Sequence, residues 1–116
     1  MGVSIRLDTW LPSKLTLYLG KHKRALLVIT MGVPVPSAAG TALLLLRRPG
    51  DDLVLQVIGV VSKVRKKYVE IRVPWDAAVS LAVFAGRKAD VNSPEGKVVI
   101  YDYLVKINEW GPPLRQ

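Results

Sequence analysis

The sequence predicts a mainly β protein: a small closed or partly open β-barrel of about six to seven strands with one short helix. Three observations carry this prediction. Strand-like segments dominate, turn signals recur about every 8–12 residues, and one alanine-rich segment late in the chain has helical character. The 116 residues suit one domain with its own core. We expect this domain to span residues 1–110 and residues 111–116 to form a frayed tail.

The first half of the chain predicts five strands. Segments 3–7 (VSIRL) and 14–19 (KLTLYL) alternate apolar and polar residues, as strands with one buried and one wet face do. The turn GKHK then leads into segment 24–31. That segment and segments 41–47 and 53–61 are apolar on both faces, which predicts strands within a sheet or barrel. Among the residues of these and the next strand, the following are predicted to be buried: Leu15, Leu17, Leu27, Ile29, Leu44, Val57, Val69 and Ile71.

The second half predicts two more strands and the helix. Gly59 interrupts a long strand, which indicates a β-bulge or a barrel corner. Strand 68–73 follows, and the alanine-rich segment then predicts a helix over 77–85 with Asp76 as its N-cap. The last strand is predicted over 97–107.

Four aromatic residues are expected to serve packing. Tyr101 and Tyr103 are predicted to share the core-facing side of the last strand with Val99. Trp10 and Trp110 lie near the two termini and are predicted to pack together if the first and last strands pair.

Composition limits the classes of function. The net charge of +8 and the pI of about 10.1 suit a partner such as nucleic acid, an anionic membrane surface or an acidic protein. A solubilising coat of charge is the simpler alternative. Half of the residues are hydrophobic, which excludes disorder by composition. The absence of cysteine excludes disulfides and thiolate metal sites.

The sequence also predicts the type of host and the cellular location. Few amide side chains, together with many Val, Leu, Lys and Arg residues, are typical of a thermophilic host. Charged Arg6 and Asp8 interrupt the start of the chain, which does not resemble a signal peptide. The longest apolar stretches are too short or too broken by proline to cross a bilayer. We expect a cytoplasmic protein without a membrane partner.

Eleven of the seventeen Lys and Arg residues lie at predicted connections. In an antiparallel meander, alternate connections share one end of the barrel. The connections at 20–24 and 47–52 are therefore expected at one end and the connection at 63–67 at the other. No acid lies nearer to this last connection than Glu70, so we expect it to be the most positive point of the molecule.

Two tyrosines are predicted to face outward beside these cations. If Val69 faces the core, then Tyr68 and Arg72 face solvent; Tyr18 faces outward with Lys14 by the same alternation. Exposed tyrosines beside cations provide stacking platforms for unpaired bases. The alternative is that tyrosine merely favours strands.

The leading interpretation is therefore a non-catalytic nucleic-acid-binding protein, with DNA or RNA as ligand. No helix-turn-helix, zinc finger or RNP pattern is present, so sequence-specific reading of the major groove is not expected, and single strands are preferred over duplex. The predicted binding residues are Lys14, Tyr18, Lys21, Lys23, Arg24, Lys63, Arg65, Lys66, Lys67, Tyr68 and Arg72. No cofactor or metal is expected.

Two further interpretations come from other classes. The first is a structural or accessory subunit of a larger nucleic-acid-processing assembly, with an apolar face or edge strand buried in a homodimer or a protein partner. The second is a metal-dependent nuclease using Asp76, Glu95 and Lys97. It is disfavoured because Glu95 lies in a predicted turn, where a preorganised metal site is hard to build. The single histidine, His22, has no nucleophile paired with it in any recognisable motif.

Overall fold

In the computed structural model, which describes residues 7–33, 40–85 and 96–109, the chain forms a closed antiparallel β-barrel with one α-helix. The elements are β1 (Leu7–Leu19), β2 (Ala25–Met31), β3 (Gly40–Arg47), β4 (Leu55–Val64), β5 (Tyr68–Val73), α1 (Trp75–Phe84) and β6 (Lys97–Glu109). Around the barrel the six strands follow the order β1-β2-β5-β4-β3-β6, and β6 closes onto β1. The predicted mainly β barrel with one short helix is confirmed.

The interior is filled by alternate residues of every strand. All eight residues predicted to be buried are at most 3% exposed. Closure pairs strands that would otherwise leave free edges, so the apolar side chains can pack in one continuous core. None of the helices in the described ranges is long and apolar enough to span a bilayer.

The N-terminal region differs from the prediction of two separate strands. Segment 14–19 belongs to a single strand, β1, that already begins at Leu7, while residues 3–6 lie outside the described residues. Pro12 falls inside this strand. Because pairing with β2 begins only at Ser13, proline at position 12 removes no hydrogen bond to that neighbour.

Of the two features predicted at Gly59, a β-bulge or a barrel corner, the bulge is not found there. Gly59 pairs regularly with Ala42, and the register shift of β4 against β5 occurs between Val61 and Lys63. Gly59 instead permits close strand packing: a Cβ there would lie 2.4 Å from Ile71 Cγ2. The glycine is visible in the sequence, but its contact with Ile71 is not.

A second irregularity changes the faces of β6. Ser13 pairs with Tyr103 and Leu15 with Ile100, so the inward alternation shifts between these points. Tyr103 is buried as predicted, but Val99 is only half-buried and does not share its face. The side chain of Tyr101 and all of Trp110 lie outside the described residues. Burial raises the pKa of Tyr103 to about 12.

Helix α1 follows β5 at one end of the barrel, here called the helix end. It begins at Trp75, two residues before the predicted helix, and Pro74 occupies the N-cap instead of Asp76. Asp76 lies in the first turn, where a carboxylate favours the helix dipole. Ala78, Leu81 and Ala82 are buried against the core.

The antiparallel strand order determines which end each turn occupies. The turns 20–24 and 48–54 lie at the helix end, and the hairpin turn 65–67 lies at the opposite end, as predicted.

Candidate nucleic-acid interface

Strands β1, β2 and β5 are neighbours in the barrel and present one continuous outer surface, here called the β1–β2–β5 face. Cross-strand register arranges its outward side chains in three rows. The rows are Tyr18, Leu26 and Arg72; Thr16, Val28 and Glu70; and Lys14, Thr30 and Tyr68. Neighbours within a row are about 5 Å apart, and successive rows are about 7 Å apart.

Two adjoining grooves run over this face. The upper groove, of about 650 Å³, lies toward the helix end, and the lower groove encloses about 450 Å³. The upper groove is lined by Tyr18, Gly20, Lys23, Arg24, Ala25, Leu26, Ser62, Glu70, Arg72, Val73, Pro74 and Trp75. The lower groove is lined by Lys14, Thr16, Tyr18, Leu26, Val28, Thr30, Tyr68 and Glu70. Three shared lining residues make the grooves continuous.

The exposure of the predicted binding residues on this face is largely as expected. Tyr18 is 42% exposed, and Lys14 and Arg72 are exposed. Tyr68 is half-buried rather than fully exposed, because it forms part of the wall of the lower groove. Its ring remains one of the surfaces available to a ligand there.

The turn at 20–24 adds cations to the upper groove. His22 and Lys23 have φ angles of 60° and 56°, a left-handed conformation that is rare for residues other than glycine. The backbone N–H of Arg24 donates to the carbonyl of Lys21 at 3.3 Å. Lys23 and Arg24 line the upper groove, whereas Lys21 is exposed beside it.

The β4–β5 hairpin carries four exposed cations at the opposite end: Lys63 near the end of β4, and Arg65, Lys66 and Lys67 in its turn. Backbone hydrogen bonds fix this turn to the β1–β2–β5 face. The N–H of Arg65 donates to the carbonyl of Tyr68 at 2.8 Å, and the N–H of Met31 donates to the carbonyl of Lys67 at 2.9 Å. Cationic turns therefore border the face at both ends.

The structure brings six of the eleven predicted residues together as groove walls: Lys14, Tyr18, Lys23, Arg24, Tyr68 and Arg72. Lys21 and the four cations of the 63–67 turn lie around them. Sequence reasoning did not include two groove residues in this site, Trp75 in the upper groove and Glu70 in both grooves. The pairing of β2 with both β1 and β5 brings them into the grooves.

Trp10 lies in a separate cluster on β1. The guanidinium carbon of Arg47 is 4.8 Å from the centre of its ring, and the Nζ of Lys106 is 5.3 Å away. Strands β1 and β6 do pair, but the predicted contact of Trp10 with Trp110 lies outside the described residues. Two cations on one indole are favourable cation–π contacts.

The proposed nuclease residues do not form a described site. Asp76 lies in α1, Lys97 begins β6, and Glu95 lies outside the described residues. Within the described ranges, no group of three or more His, Asp or Glu side chains is arranged to hold a metal ion.

The β3–β4 turn contains a local ion pair. Arg48 contacts the carboxylate of Asp51 at 2.6 Å. The backbone N–H of Leu53, followed by Arg48, lowers the pKa of Asp51. This acid therefore neutralises a neighbour in its own turn.

A second outer surface, here called the β3–β4 face, is apolar. Its outward residues include Leu43 and Ile58, which pair with each other, and Leu45 and Val60 beside them. Ile58 is 42% and Val60 is 45% exposed. Segment 53–61 is predicted to be a strand within a sheet or barrel, and β4 does lie between β5 and β3 in the closed barrel, with its outward apolar side chains exposed.

Comparisons with protein-family models, curated proteins and solved structures found no match for this chain. The geometry and charge of the two outer faces therefore carry the functional conclusion.

Proposed function

We propose that this protein binds single-stranded DNA or RNA on its β1–β2–β5 face without catalysing a reaction. The observation that carries the proposal is the cross-strand register, which puts Tyr18 and Arg72 in one row between two cationic turns. An aromatic ring and a guanidinium in one row suit the two repeating parts of a nucleic acid, the base and the phosphate.

The phosphates are the expected partners of the cations. Lys23, Arg24 and Arg72 meet in the upper groove, and Lys14 lies in the lower groove. Each Lys or Arg that neutralises a phosphate releases bound counterions, so the affinity falls as the salt concentration rises.

The conformation of the 20–24 turn supports a functional role for its cations. A left-handed conformation costs about 1–2 kcal/mol for a residue other than glycine. Hairpin turns with this backbone ordinarily use Asn-Gly. His22 and Lys23 stand there instead. Backbone strain of this kind clusters at functional sites, so it supports a functional role for this turn.

Single strands suit this face better than a duplex does. Stacking on Tyr18 requires an exposed base face, which a duplex hides between neighbouring base pairs. The two adjoining grooves of about 650 and 450 Å³ give successive bases room on one surface.

A second candidate function is favoured by the β3–β4 face. Its exposed Ile58 and Val60 form an apolar surface with Leu43 and Leu45, a composition typical of contacts between proteins. In this alternative the protein is an accessory subunit or a homodimer that uses the β3–β4 face. The two candidate functions occupy different surfaces, so both can hold.

A salt-dependent titration tests the leading proposal. Fluorescence anisotropy measures binding of a labelled single strand and of its duplex at several salt concentrations. The single strand should bind more tightly, and the double variant Lys66→Ala/Lys67→Ala should lower the salt slope by about 0.7 for each lysine.

The control is Lys106→Ala, which removes a lysine beside Trp10, outside both grooves. It should leave the slope unchanged. If the double variant binds like the parent at low salt, the 63–67 turn is only a solvated turn. Light scattering on the same samples then tests the assembly alternative.

A further inference from the structure

One acidic side chain lines both grooves of the β1–β2–β5 face. Among the described lining residues, Glu70 is the only acid, and it belongs to the upper and the lower groove alike. It is half-buried, in the middle row of the face. A surface that bound only phosphates would be weakened by a carboxylate at its centre.

The neighbours of Glu70 do not neutralise it by direct contact. Lys63 lies opposite it on β4, and Arg72 is two residues further along the same side of β5. Neither is within 4.0 Å of the carboxylate; in the described part of the chain, the ion pair found is Arg48–Asp51. Glu70 thus lines both grooves without an ion pair to a described cation.

Two tyrosines line grooves that Glu70 also lines. Tyr68 precedes Glu70 by two residues on the same side of β5, a separation of about 7 Å. Tyr18 lines both grooves with it. A base stacked on either ring would lie in a groove that Glu70 also lines.

An ionised carboxylate only accepts hydrogen bonds. The Watson–Crick edge of guanine presents two adjacent donors, the ring N1–H and the 2-amino group. On the same edge, adenine and cytosine each present one amino donor beside an acceptor. Thymine and uracil present one donor between two carbonyls. Guanine alone matches both oxygens of a carboxylate.

We propose that Glu70 selects guanine among the unpaired bases that this face binds. The proposal rests on the proposed single-strand binding and adds base selectivity to it. Arg72 and Lys14 contact the neighbouring phosphates, Tyr18 and Tyr68 stack the bases, and Glu70 reads the guanine edge.

The test uses labelled thymidine oligonucleotides of about ten nucleotides, within the footprint of small β-barrels that bind single strands. One central thymine is replaced by guanine, hypoxanthine, adenine or cytosine. The parent protein should prefer guanine over adenine and cytosine by about 5- to 100-fold, the discrimination of a good bidentate contact. Hypoxanthine, which lacks the 2-amino group, should bind with intermediate affinity.

Glu70→Gln keeps the shape of the side chain but not its pair of acceptors, so the guanine preference should disappear while the other oligonucleotides bind as tightly or more tightly. Asp76→Asn is the matched control, because it removes the same charge from an exposed helix residue outside both grooves. It should keep the preference.

Two outcomes would overturn the inference, and they are distinguishable. If Glu70→Gln raises the affinity for every oligonucleotide equally, Glu70 only repels phosphate, and the proposed single-strand binding stands. If the parent protein binds none of the oligonucleotides, both proposals fail.

Discussion

The β1–β2–β5 face and the β3–β4 face are built from strands of similar apolar content, yet their outer surfaces differ in chemistry and shape. The first has two continuous grooves on its surface, and Tyr18 and Arg72 are among the residues that line them. The second holds Ile58 and Val60, which stand more than 40% exposed in an apolar surface. One barrel thus separates a polar, grooved surface from an apolar one.

The difference shows that, in a closed barrel, the outward residues of each strand can differ while the inward residues form one core. Each inward set of residues contributes to one shared core, so the outward sets are free to differ. Strand β5 lies between β2 and β4 and joins the two surfaces: Arg72 pairs with Leu26 on one side and with Val60 on the other. The relative position of the two faces therefore depends on the contact between β4 and β5.

The largest expected effect breaks that contact. In Gly59→Ala, the added Cβ would lie 2.4 Å from Ile71 Cγ2 and 2.8 Å from the Arg72 carbonyl. We expect the free energy of unfolding to fall by about 3 kcal/mol, because overpacking forces the strands apart. Denaturant unfolding measures it.

Gly32→Ala is the matched control, since nothing lies within 4 Å of a Cβ at Gly32. It should change the stability by no more than about 0.5 kcal/mol. Equal stability of the two variants would contradict the close strand packing at Gly59.

The next effect concerns the grooved face alone. Tyr18→Ala should weaken single-strand binding by about 2 kcal/mol through loss of stacking and should change duplex binding little. Tyr18→Phe keeps the ring and should bind like the parent. Anisotropy titrations of all three proteins provide the comparison, and similar losses in the two variants would exclude stacking.

A smaller effect has opposite signs for stability and binding. Lys23→Gly relieves the left-handed strain at φ 56° and should stabilise the fold by about 1 kcal/mol. It also removes a cation from the upper groove, so the affinity for a single strand and the salt slope should both decrease. A variant that is more stable and binds equally well would show that Lys23 has no role in binding.

The smallest effect belongs to the apolar face. Ile58→Lys should change stability by at most about 0.5 kcal/mol, because Ile58 is 42% exposed, and should leave oligonucleotide binding unchanged. Light scattering should detect loss of self-association if the β3–β4 face is a homodimer contact. An effect on single-strand affinity would contradict the separation of the two faces.

Much of this organisation could be predicted from the sequence. Alternation identified the inward residues of β1, β2 and β5, and the same alternation put Tyr18 and Arg72 outside. The alternation of apolar and polar residues along a strand is visible in the sequence. Burial of one face of the strand then fixes its register with the neighbouring strands.

What the sequence did not show depends on neighbours that only the barrel provides. The shift in β4 lies between Val61 and Lys63, not at Gly59, because the partner strand decides where an extra residue fits. Glu70 belongs to the site because β1 and β5 flank β2. Tyr68 is half-buried because the groove wall surrounds it.

The central claim, that single strands bind the β1–β2–β5 face, is tested most directly by NMR. Backbone amide shifts are recorded while a short thymidine oligonucleotide is added to the parent protein. We expect the changes to cluster at Tyr18, Leu26 and Arg72 and in the 20–24 and 63–67 turns, with Leu43 and Ile58 unmoved. Changes centred on Leu43 and Ile58, or none at a saturating concentration, would contradict the proposed interface.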